Sequence, residues 1–138
     1  MSGTDEESLA ETFWAVARRL RHQAKRTLEP WEINPGQARA LGVLLRHGPV
    51  RLNVLAEHLG IAPRSATEVV DGLEERGLVA RRPDPADRRA TLVGPTAEGG
   101  RVGGAIRAAR AAEAERLFGG LSDQDRAELA RILRTLRD

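Results

Sequence analysis

Cysteine is missing from the 138-residue chain, which removes disulfides, thiolate metal sites and any thiol-based redox switch. The one methionine is Met1, so no other sulfur can report an oxidant. Long apolar runs are missing too: no stretch approaches the roughly eighteen residues of a membrane span, and the opening is acidic (Asp5, Glu6, Glu7, Glu11) in place of a basic leader. A cytoplasmic protein with neither signal peptide nor membrane span is expected. Catalytic motifs are also lacking. There is no phosphate loop, no Gly-x-Ser-x-Gly elbow and no His-Glu-x-x-His, and "GPTAEGG" lacks the glycine pattern of a dinucleotide site. An enzyme is not expected, nor a cofactor. His22, His47 and His58 fall on three different predicted helices without metal-ligand spacing, so no metal site is expected and they read as surface or helix-end residues.

Lysine is almost absent: of 22 basic residues only Lys25 is not arginine. Arginine's planar fork suits phosphate oxygens and guanine edges, which makes nucleic acid the first partner to test. A GC-rich genome would enrich arginine as well, so composition alone leaves both explanations open. The net charge is +2, but the first twelve residues carry four carboxylates and no base, leaving +6 on the rest. With 41% hydrophobic and 30% charged residues, the chain has an ordinary globular balance. Its length fits one domain, or one domain plus an oligomerisation element.

What is present is helical periodicity. Between Ser8 and Leu28 the apolar residues Leu9, Phe13, Val16, Ala17, Leu20, Ala24 and Leu28 follow the three-and-four spacing of one helix face. After a break at Pro30, Asn34 as N-cap and Pro35 at the first helical position start a second helix that stops at Gly48-Pro49. "VRLNVLAEHLGI" predicts a third, with Leu52, Leu55, Ala56 and Leu59 inward and Gly60 at its C-terminal turn. After about three residues, "APRSATEVVDGLEERG" predicts a fourth, with Ala66, Val69, Val70 and Leu73 on one face and Gly77 ending it. Such a pair reads as a helix-turn-helix or as a plain helical hairpin. The β-prone runs "LVARR" and "ATLVG" flank the turn-forming "PDPADR" and decide for a winged helix, with an arginine-rich wing tip. Two further helices follow. "TAEGGRVGGAIRAARAAEAERLF" is rich in alanine, and its Gly103 and Gly104 are explained by close helix approach or by a hinge. "LSDQDRAELARILRTLRD" is capped by Ser122 and striped with Leu129, Ile132, Leu133 and Leu136.

The run "LAEHLGIAPRSATEVVDGLEERGLVARRPDPADRRATLV" closely resembles the DNA-binding core of the multiple antibiotic resistance regulator (MarR) family. The resemblance lies in its Leu-Ala-x-x-Leu-Gly-Ile start, Val-Val-Asp-x-Leu-Glu-x-x-Gly-Leu-Val helix exit and Asp-x-Arg wing, and it extends outward to Gln37 and to Thr96-x-x-Gly99. The family has leucine before that threonine, whereas this chain has Pro95, which leaves the wing's strand register open. The resemblance implies a mainly α fold with a small β-hairpin wing. Residues 33–95 would form the winged helix-turn-helix domain, and residues 1–32 and 96–138 the dimerisation helices of a single intertwined unit. It also implies a homodimeric, sequence-specific transcription regulator, a ligand-responsive repressor that binds a pseudo-palindromic operator in double-stranded DNA. The alternative is a winged-helix module for protein interaction or non-specific DNA binding.

Once the inward face of the fourth helix is set, Arg64, Ser65, Thr67 and Glu68 remain on its exposed N-terminal part, where a recognition helix meets base edges. Arg64 can pair with guanine or hold a phosphate, and Glu68 can accept from cytosine N4 or stand by as a charge that lowers non-specific affinity. Arg51 is placed either on the DNA backbone or in solvent. By resemblance, Arg89 enters the minor groove, Asp87 orients it, and Arg88 lies nearer the phosphates. The resemblance further implies an effector pocket for a small aromatic or acidic molecule, which Trp14 and Trp31 border, either as pocket wall or as core.

Overall fold

The computed structural model describes the backbone of residues 2–138 and the side chains from Ser8 onward; Met1 and the side chains of Asp5, Glu6 and Glu7 lie outside the described residues. The described elements run α1 (Ser2–Thr27), a 3-10 turn (Glu29–Trp31), α2 (Pro35–His47), β1 (Val50–Arg51), α3 (Leu52–Leu59), α4 (Pro63–Glu75), β2 (Val79–Asp84), β3 (Asp87–Pro95), α5 (Ala97–Phe118) and α6 (Asp123–Arg137). The architecture is a winged helix-turn-helix framed by long terminal helices, so the expected fold class is the observed one.

Local chemistry sets the boundaries. Asn34 caps α2 by accepting from the Gln37 N–H, while the Gln37 side chain accepts from the Asn34 N–H, a reciprocal capping box over Pro35 at the first turn. Gly60 ends α3 at φ 67°, in the left-handed region that favours glycine. Thr96 joins wing to α5. Its hydroxyl accepts from the Gly99 N–H and donates to the Gly77 carbonyl, while its own N–H donates to the Leu78 carbonyl. Gly99 is required there, since a β-carbon would stand 2.0 Å from the Leu78 carbonyl oxygen. Of the two explanations for the paired glycines, Gly103 takes close approach: its β-carbon would fall 2.2 Å from Leu45 Cδ1, whereas Gly104 faces open space.

The core forms where α2, α3, α4, the sheet and the first half of α5 converge. Leu28, Leu41, Leu44, Leu55, Val70, Leu73, Val79, Val93 and Val102 are essentially inaccessible, and Ile106 adds to them. Val69, expected on the inward face, packs against this core but is only half-buried.

The sheet departs from expectation in two ways. A third strand, β1, pairs antiparallel with β3, giving the order β1-β3-β2; two residues carry too little pattern to be read as a strand. The wing strands also run further than "LVARR" and "ATLVG", leaving only Pro85 and Ala86 as the turn. Pro83 is tolerated within β2 because that strand is an edge, where a missing N–H breaks no ladder. Pro95 does not disturb the register at the root, where Val79 stands opposite it.

Candidate nucleic-acid interface

Helix α4 buries Ala66, Val70 and Leu73, and this choice of inward face turns Arg64, Ser65 and Glu68 to solvent with Thr67 half-buried beside them. Arg64 and Glu68 make no hydrogen bond or ion pair among the described residues, so both heads are free for a ligand. Thr67 differs, because its hydroxyl donates back to the Pro63 carbonyl at 3.0 Å; its methyl and an oxygen lone pair remain to offer. Ala62 at the N-cap has no side-chain acceptor, so the first N–H groups of α4 point outward unsatisfied by any cap.

The wing tip is built by an irregularity. Pairing runs from Arg82↔Leu92 through Pro83↔Thr91 and then jumps to Asp84↔Asp87, so Arg88, Arg89 and Ala90 are surplus residues on β3. The surplus throws Arg88 and Arg89 off the ladder. Arg89 is 93% exposed, and Asp87 Oδ1 accepts from both its backbone N–H (3.1 Å) and its Nε (3.4 Å). The structure thus brings Asp87 and Arg89 together in the arrangement an oriented finger requires.

Two further ion-pair systems hold the wing, and sequence reasoning missed both. Arg51 Nε and Nη2 each lie 2.9 Å from Asp84 Oδ2, while Asp84 Oδ1 accepts from the Ala86 N–H. The Ala86 bond first, and the Arg51 guanidinium second, hold the largely buried Asp84 carboxyl below its ordinary range against the opposing effect of burial. Arg51 is therefore neither wholly free nor simply solvated: most of its fork is committed to the wing. On the other side, Arg81 Nη1 meets Glu74 Oε1 at 2.7 Å and Nη2 meets Asp71 Oδ1 at 2.6 Å, tying β2 to α4. The partners are 33 and up to 10 residues apart, and no periodic signal links them.

An open groove of about 630 Å³ lies at the junction of α1 and α2, walled by His22, Lys25, Arg26, Glu29, Glu32 and Gln37. Neither tryptophan lines it. Trp31 packs on the core, and Trp14 is half-exposed with its ring edge-on to Phe13, centroids 6.0 Å apart. His47 and His58, read from sequence as unrelated, stack with ring centroids 4.2 Å apart. No group of three or more potential metal-ligating side chains occurs among the described residues.

Residues 31–90, which hold the recognition helix and the wing tip, match the model of the MarR family. The chain belongs to the MarR family. Among its relatives is the HTH-type transcriptional repressor MdtR of Bacillus subtilis, 26% identical over 86% of this chain and 76% of that protein. The chain spans from 76% down to 58% of the length of the curated relatives it matches, all named as transcriptional regulators and none as an enzyme. In three dimensions it is similar to YusO of Bacillus subtilis (TM-score 0.87, 23% identity, 99% of this chain and 97% of that one). It is also similar to an S. aureus MepR variant bound to an oligodeoxyribonucleotide (TM-score 0.75, 24% identity, 93% and 97%). At these identities the MarR likeness in three dimensions speaks for the fold. No helix of the described residues is long and apolar enough to cross a membrane.

Proposed function

We propose that this chain is a cytoplasmic, homodimeric, sequence-specific DNA-binding transcription regulator, acting as a ligand-responsive repressor. The observation that carries the reading is the pairing of an exposed, uncapped start of α4 with an arginine finger held by its own aspartate. Arg64, Ser65, Thr67 and Glu68 meet base edges in the major groove, while Arg89, oriented by Asp87, enters the flanking minor groove and Arg88 contacts phosphates. Arg51 contributes to the DNA backbone with whatever its bond to Asp84 leaves free. The repressor MdtR and the DNA-bound MepR variant support this direction.

Dimerisation is supported by what the protomer leaves uncovered. Phe13, Trp14, Val16, Ile132, Leu133 and Leu136 are all exposed, and α6 buries no residue. Apolar side chains gathered on terminal helices in this way fit a second copy of the chain. The segments 1–32 and 96–138 are the dimerisation helices and 33–95 the DNA-binding unit, with the first half of α5 serving both. We place a small acidic or aromatic effector in the α1–α2 groove, whose wall carries the cations Lys25 and Arg26 beside Glu29 and Glu32.

Selection of the full-length chain against a random duplex library, followed by footprinting, tests the reading. The expected result is a pseudo-palindrome with half-sites about 10 bp apart, bound on the order of 10³-fold more tightly than random duplex. Enrichment of no sequence, with affinity that collapses with salt alike on every duplex, leaves the non-specific module as the correct description.

A further inference from the structure

Four arginines crowd the wing, but one of them does not face outward. Arg82, Arg88 and Arg89 are exposed, whereas the Arg81 side chain is only 26% exposed and is held by two carboxylates of the recognition helix. Glu74 is used twice, since its Oε2 also accepts from the Arg81 backbone N–H at 3.3 Å. Arg81 therefore brings no net positive charge to DNA, because two carboxylates surround one guanidinium.

We infer that Arg81 is a positioning residue: its grip on Asp71 and Glu74 sets the angle between wing and recognition helix, and so decides whether Arg89 reaches the minor groove while α4 sits in the major groove. The inference rests on the DNA-binding reading above. The grip spans the connection from α4 to β2, which passes through Arg76 and Gly77, the latter at φ 73°. Beyond Arg81 the wing is a two-stranded lever, with Asp84, itself tied to Arg51, three residues further along. That is roughly 10 Å of strand; with the arginine's own reach, the lever is roughly 15 Å. A 10° swing at the root then moves the Arg89 guanidinium by about 2.5 Å, more than a hydrogen bond tolerates. Asp71 and Glu74 are about half exposed, and ion pairs so wetted add little to folding stability. What three converging bonds supply is direction, and arginine suits the role because its rigid planar fork presents fixed donors to both carboxylates at once.

The test is a set of double-mutant cycles on the duplex that the wild-type chain enriches from a random library. Arg89→Ala is expected to weaken binding by about tenfold in the wild-type background and by less than about twofold in Arg81→Gln, because a misaimed finger has nothing left to lose. Arg64→Ala is expected to cost the same factor in both backgrounds. The double variant Asp71→Asn/Glu74→Gln, which leaves Arg81 in place, should reproduce the result and carries the test if Arg81→Gln does not fold. Equal losses for Arg89→Ala in all backgrounds overturn the inference and leave Arg81 as a surface ion pair. Weakening by Arg81→Gln but not by the carboxylate variant also overturns it, in favour of a direct phosphate contact. If the wild-type chain enriches no duplex, both this inference and the function it rests on fail together, whereas additivity on an enriched duplex removes the inference alone.

Discussion

The winged-helix part and the terminal helices are built on the same amphipathic principle and end in opposite states. In the first, every stripe finds its complement within the protomer: Leu41 and Leu44 of α2, Leu55 of α3, Val70 and Leu73 of α4 and Val93 of β3 meet in one core. In α6, a stripe of comparable regularity buries nothing, and Leu136 is 72% exposed. What holds α6 in place is mostly polar. Ser122 caps it by accepting from the Asp125 N–H, and Arg126 forms a two-bond ion pair with Glu115 across the α5–α6 elbow. Caps contribute about 1 kcal/mol and exposed ion pairs less, so a helix held only this way is marginal in water. One region is completed within its own chain, and the other leaves an apolar stripe that, on the proposed reading, a second copy covers.

The sharpest way to break this contrast is a cavity in each region. Leu55→Ala should lower folding stability by about 2–5 kcal/mol, measured by denaturant titration, because the side chain is fully enclosed and its removal leaves a cavity. Its sedimentation behaviour at 25 °C should match the wild type. Ile132→Ala should do the opposite. It raises the dimer dissociation constant by about tenfold, equivalent to about 1.4 kcal/mol, while helicity at high protein concentration stays unchanged. If Leu55→Ala shifts the monomer–dimer equilibrium, or if Ile132→Ala leaves it untouched, the division between a self-contained core and a partner-dependent frame is wrong.

The same division explains what could be read from the residues alone. Helices α2 to α4 were legible because their signals are local: the Asn34 cap, Gly60, Gly77 and the three-and-four spacing of Leu52, Leu55 and Leu59 in α3 and of Ala66, Val70 and Leu73 in α4 all act within a turn or two. The outward residues of α4 followed from choosing its inward face, although the sequence does not show that the Thr67 hydroxyl bonds back to its own helix. The wing was legible as a hairpin but not in its length, since Pro83 argues against a strand until the edge position is known. Strand β1 has meaning only beside β3. The Arg51–Asp84 and Arg81–Asp71–Glu74 pairings depend on tertiary placement, because any arginine in so arginine-rich a chain has many carboxylates within conceivable reach. Trp14 and Trp31 show the limit from the other side, since bulk alone does not say whether a ring lines a groove, packs on a core or waits for a partner.

The smallest expected effect separates the two regions by charge. Asp84 belongs to the wing and Glu115 to the terminal elbow, and both carboxyls are held below their ordinary values. For Asp84 the main cause is the Ala86 N–H bond and then Arg51; for Glu115 it is the Arg126 hydrogen bond and then its charge. A carboxyl depressed by folding contributes stability that is fully present above its unfolded value and is lost as pH falls through its folded value. The ordinary value for Asp84 is 3.8, so the wild-type advantage over Asp84→Asn should be constant at neutral pH. It should shrink only once the pH drops below that range, and vanish when the folded carboxyl is itself protonated. Glu115→Gln should behave alike about its ordinary value of 4.5. The two differ in what they disturb: the loss at Asp84 frees Arg51 and loosens the wing tip, so at neutral pH Asp84→Asn should weaken binding to the enriched duplex by a few-fold at unchanged dimer affinity. Glu115→Gln should shift dimer affinity and leave the half-site contacts as they were. Paired denaturation and binding titrations from pH 7 to pH 3 decide the matter. A pH dependence in which Asp84→Asn gains on the wild type as the solution becomes more alkaline has the wrong sign for a depressed carboxyl, and would remove Asp84 from its place between Arg51 and the Ala86 N–H.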